Sequence, residues 1–148
     1  MADFLYVTGA KEAAETYFLT TPLKAMLVSA GYVPNADDDV VDAGGANDAA
    51  DHEVGSASYV GGWGGSGRKM LASKTVTVDK ANNRVLFDCA DVTWTALEVP
   101  VQPAHLLVVN EGIADDTTTR LHSHHDFVVT TNGGDITAQI NDLWRLNL

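Results

Sequence analysis

A chain of 148 residues, 45% hydrophobic and 20% charged, has the make-up of one globular domain, long enough to bury about 70% of its unfolded surface without metal or disulfide staples. Its net charge of −11 argues against nucleic acid and anionic membranes as partners, because both are held through clustered Lys and Arg. Cys89 is the only cysteine, so no intrachain disulfide can form. No window approaches the ~20 apolar residues of a membrane span, and Met1-Ala2-Asp3 opens no signal peptide, which sets the expectation of a soluble protein made in the cytosol.

In chain order, Lys11-Glu12-Ala13-Ala14-Glu15-Thr16-Tyr17-Phe18 predicts a short helix, with Thr8 as candidate cap and Lys11–Glu15 as an i,i+4 pair. Pro22 blocks its continuation. Leu23 to Val28 reads as an apolar strand ending at Gly31, and Tyr32-Val33-Pro34-Asn35 carries turn chemistry. From Asp37 to Glu53 acidic residues sit among Ala and Gly without a Lys or Arg, which predicts a long exposed loop. Asp37 and Asp39 match the first two ligand positions of a calcium loop, but Val41 takes the next, so a solvated acidic loop is preferred.

Ser56 to Val60 predicts a short strand, and Gly61 to Gly67 a flexible tip carrying Trp63. The run Gly62-Trp63-Gly64-Gly65-Ser66-Gly67 matches the dinucleotide glycine pattern, yet it leads into a strand and not a helix that could hold pyrophosphate. Arg68 stands where a phosphate-binding loop has its lysine, and Met70 follows Lys69. Ser66 lies in no nucleophile elbow. Trp63, Arg68 and Lys69 are instead candidate partner-interface residues.

Lys74 to Val78 and Arg84 to Cys89 alternate as a hairpin closed within Asp79 to Asn83, with Cys89 read as a buried small hydrophobe. Asp91-Val92-Thr93-Trp94 starts another strand. Leu97, Val99 and Val101 alternate again, with Pro100 and Pro103 confining that segment to an edge or a break. Leu106-Leu107-Val108-Val109 suits a strand buried on both faces. After a loop from Asn110 to Asp116, a second alternating run from Leu121 to Val129 meets Asn132-Gly133-Gly134-Asp135 and then Ile136 to Asn141, the strongest hairpin signal in the chain. Trp144, Leu146 and Leu148 predict a last strand. About eight strands and one helix make an all-β pattern, an antiparallel β-sandwich or jelly-roll-like fold in one domain spanning 1–148.

His122 and His124 lie two apart on one predicted strand with Asp126 next along the same face, half of a zinc or iron site. His52 or His105 could complete it only if the fold brings them close. The preferred reading is an exposed polar strand face, so no cofactor and no metal are expected, with His122, His124 and Asp126 as the candidates to watch. No catalytic residues are expected either.

Several ordered segments together resemble a family of small virion proteins encoded among the structural genes of tailed bacteriophages. They are Leu23-Lys24-Ala25-Met26-Leu27-Val28, Tyr32-Val33-Pro34-Asn35, Lys74-Thr75-Val76, Ala90-Asp91-Val92-Thr93-Trp94, Arg120-Leu121 and Asn132-Gly133-Gly134-Asp135-Ile136-Thr137. The chain departs from the family at Asn110-Glu111-Gly112, where a Tyr-Lys-Asp-Thr-Gly turn is common, and at His122-Ser123-His124-His125, where an apolar strand is usual. The resemblance implies a head-decoration or cement protein on the outer capsid, bound to the major capsid protein and to neighbouring copies of itself as a homo-oligomer. A neck, tail or fibre component is the alternative within the virion. A small metal-dependent β-barrel enzyme using the His122/His124 strand is the alternative of another class.

Overall fold

The computed structural model describes residues 5–99 and 101–148; Met1-Ala2-Asp3 and Pro100, which enter the readings above, fall outside them. Among the described residues the protein is mainly β: nine strands in three antiparallel sheets, with one α-helix. Two compact units are built from interleaved stretches of chain. The smaller takes the N-terminal stretch to Thr21, Leu71–Asp91 and Gln139–Leu148; the larger takes Pro22–Met70 and Val92–Ala138.

In the smaller unit, α1 (Val7–Thr20) is rich in good helix formers and carries the expected Lys11–Glu15 bridge at 3.0 Å. Thr8 falls inside the first turn and does not cap it; the N-cap is Tyr6, whose side chain makes no capping hydrogen bond. The helix is held by Phe18, whose buried ring meets Phe87 edge-on at 5.3 Å and Trp144 at 5.1 Å. Those partners belong to a three-stranded sheet of β3 (Thr75–Asp79), β4 (Arg84–Asp88) and β9 (Trp144–Asn147), in that order. The β3–β4 hairpin is as expected: Asn83 closes it with φ of 49°, and the Asp79 carboxylate accepts from the Asn82 backbone and from Arg84. Cys89 is buried, and burial pushes its thiol up to about 11.

The larger unit is organised on a four-stranded sheet in the order β2 (Lys69–Met70), β1 (Leu23–Ser29), β6 (Pro103–Asn110), β7 (Arg120–Asp126). The continuous apolar runs of β1 and β6 are central and buried on both faces, as such runs require. Pro103 takes the first position of β6, where the missing N–H costs nothing. Since β2 is so short, other groups finish the free edge of β1. The Tyr59 hydroxyl accepts from the Leu27 N–H at 2.9 Å, and Val54 donates to the Leu27 carbonyl at 3.1 Å.

Several expectations are corrected. The segment from Asp37 to Glu53 is exposed over 37–39 and 43–47, as expected, but it is anchored and not loose. Val41 and Ala49 are buried with Met26, Val28, Tyr32, Leu107 and Val109, and the stretch lies over one face of the sheet. Its composition hides this because only a few apolar residues do the covering, while Asp42 and Asp48 accept backbone N–H groups of the turn between them. The central hairpin does not form either. The run after Leu121 pairs with β6, which Phe127 and Val129 continue by donating to Ala104 and Pro103, whereas β8 (Ile136–Ala138) pairs with β5 (Val92–Trp94). The Asn-Gly-Gly turn is real, with Gly133 at φ of +85°, but it locks onto Leu97 by two backbone bonds of 3.0 Å. Leu97 and Val101 are buried in an irregular segment, and Ser56 to Val60 is likewise irregular.

Candidate functional site

The Gly-rich segment is ordered because Arg68 anchors it. The Arg68 side chain has no exposed surface, which corrects its assignment as a partner-contact residue. Its Nε and Nη2 donate to Glu53 at 2.8 and 2.7 Å, and Nη1 and Nη2 to the two Asp116 oxygens at 2.7 and 2.8 Å. Nη1 also reaches Glu111 at 3.4 Å. Burial alone would lower the guanidinium's pKa, but the Glu53 and Asp116 carboxylates outweigh it and raise the pKa above its ordinary value. Burial likewise opposes Asp116 ionisation, and Arg68 more than reverses it, so the carboxyl lies below the usual range.

The same carboxylates fix the glycine loop. Glu53 accepts from Gly62 N–H at 2.7 Å, and Glu111 from Gly64 N–H at 3.1 Å. A Cβ on Gly67 would stand 2.5 Å from the Tyr59 ring, so only glycine lets the chain pass there. The Trp63 indole donates to the Gly112 carbonyl at 2.8 Å, which ties the 61–67 loop to the loop between β6 and β7. Two large apolar side chains stand on these tied loops, Trp63 at 44% and Ile113 at 95% exposure. Lys69 is half-buried on the edge strand β2. The sequence reading named Trp63 but missed Ile113, whose neighbours Gly112 and Ala114 read only as loop.

The histidines separate. Val109 pairs with Leu121 and Val108 with Ser123, so His122 is the extra residue of a bulge and the simple alternation breaks there. His124 and Asp126 remain together, and β6 supplies His105, paired with Asp126 in the ladder. His105 Nδ1 lies 2.8 Å from His124 Nε2, which in turn lies 3.8 Å from Asp126 Oδ1. Burial, then the neighbouring His105, lowers the His124 pKa, against a smaller opposing pull from Asp126. His125 points to other work, with Nε2 3.0 Å from Ser123 Oγ.

Beside this cluster a cleft of about 470 Å³ is walled by Tyr32, Asp38, Leu107, Leu121, His122 and His124. The Tyr32 hydroxyl's pKa is raised, first by burial and then by Asp38. The Tyr32 ring meets His105 edge-on at 6.0 Å. No protein-family model, curated protein or solved structure matches the chain. No helix among the described residues is long and apolar enough to cross a membrane.

Proposed function

We propose that the protein is a structural, binding-only component of a tailed-bacteriophage virion, a decoration or cement protein on the outer head surface. The observation that carries this reading is the pair of tied loops presenting Trp63 and Ile113. The loops are stiffened by a buried ion-pair network, so little ordering entropy remains to be lost when a partner covers them. An aromatic anchor on a pre-formed surface is what a binding hot spot requires. The ordered resemblance described above supplies the partner, a major capsid protein, with further contacts between copies of the chain.

The charge is consistent with that placement. A net −11 suits the outside of a DNA-filled shell, with the acidic surface toward solvent, better than the inside, where it would face packed phosphate. In the larger unit the four-stranded sheet and the β5–β8 ladder are proposed as the two layers of an antiparallel β-sandwich of the jelly-roll kind.

Cementing is tested by heating particles with and without the protein. A component that binds the assembled shell and not its free subunits raises the temperature at which heads rupture, in proportion to occupancy. Trp63→Ala with Ile113→Ser abolishes both binding and protection under this reading. Unchanged binding by that double variant would remove these loops from the interface.

A further inference from the structure

The ligand atoms of His105, His124 and Asp126 all lie within 4.8 Å of one another. We propose that His105 Nδ1, His124 Nε2 and one Asp126 carboxylate oxygen bind a divalent transition ion of the zinc class. The absence of a metal expected from sequence rested on the lack of a recognisable third and fourth ligand beside His122 and His124; the bulge removes His122 from that face, so the β7 pair His124 and Asp126 needs a third ligand from elsewhere. His105, brought alongside by the β6–β7 register, supplies it.

The donor set selects the ion. Two imidazole nitrogens and one carboxylate oxygen suit zinc and its borderline neighbours, whereas magnesium and calcium require oxygen shells. The spacing fits as well. Tetrahedral bonds of 2.0–2.1 Å place ligand atoms about 3.3 Å apart, and the two distances here, 2.8 and 3.8 Å, straddle that value. The third, between His105 and Asp126, is within 4.8 Å, and rotation of the exposed Asp126 side chain is what closes it. In the metal-free pair one imidazole N–H donates to the other ring's lone pair; the ion takes the place of that hydrogen, and the proton moves to the ring's other nitrogen.

The site is also held and open. His105 stands on the central strand β6 against the Tyr32 ring, while His124 and Asp126 are exposed on edge strand β7. An ion therefore enters directly from solvent, and water completes the coordination.

The test is a zinc titration of the full-length, EDTA-stripped chain against a competing chromophoric chelator. One equivalent of zinc per chain is expected, with no displacement by millimolar magnesium or calcium. His124→Ala weakens binding by at least about tenfold, and Asp126→Asn does so to a smaller extent. Both positions are exposed, so neither change disturbs the fold, which circular dichroism checks. His122→Ala, in the bulge outside the cluster, leaves the affinity unchanged. Stoichiometry far below one, or equal weakening by His122→Ala and His124→Ala, overturns the proposal.

Discussion

At Arg68 a guanidinium with no exposed surface meets the carboxylates of Glu53 and Asp116 in paired hydrogen bonds. Replacing it with Met keeps much of the volume but leaves those carboxylates buried without their counter-charge. Loss of one partner from a buried pair costs about 3–5 kcal/mol, so Arg68→Met lowers the stability of the folded chain by that order in denaturant unfolding. A loss below about 1 kcal/mol would mean that water replaces the guanidinium and that the network does not hold the loops. The same network sets the acid limb of stability. Because the folded pKa of Asp116 lies below its unfolded value, the unfolded chain binds more protons as the medium is acidified. The contribution is complete above about pH 4, the unfolded carboxyl range, and disappears as pH falls through the folded pKa. Asp116→Asn is less stable at neutral pH and shows a shallower acid limb, measured by urea unfolding between pH 2 and 6.

The segment between β1 and the glycine loop is the element whose role composition conceals. Runs of Asp, Ala and Gly read as solvated chain, and nothing local marks Val41 and Ala49 as the residues that close one face of the sheet. Val41→Ala therefore destabilises by about 2 kcal/mol, whereas substitutions at the exposed Ala46 stay within about 0.5 kcal/mol; equal effects at both sites would return the segment to the status of a loose loop. Other elements were legible. The apolar runs of β1 and β6 and the β3–β4 hairpin follow from period and polarity alone, because burial on one or both faces leaves its pattern in the residues; the last strand follows from its alternation, although Leu146 and Leu148 are exposed. The Asn-Gly-Gly turn misled because turn chemistry specifies a reversal of the chain and not which strand the reversed chain joins. The histidine grouping failed at one residue: a single bulge at His122 shifts the register, and the third ligand comes from β6, whose position depends on a long-range pairing.

At the scale of the whole molecule, an acidic protein presents Trp63 and Ile113 on two loops tied to each other, the surface proposed to meet a virion shell. The proposed role draws its partner from the ordered resemblance, while the loop architecture that supports it is not legible in the sequence, where Arg68 reads as a candidate partner contact beside a flexible tip. Under the proposed virion role, the direct measurement is a cryo-electron map of intact phage particles that carry the protein. Many copies are expected in a regular array on the outer head, grouped around local symmetry axes, with Trp63 and Ile113 against the major capsid protein. Copies found only at the neck or tail, or an outer array whose Trp63 and Ile113 face solvent, would contradict it.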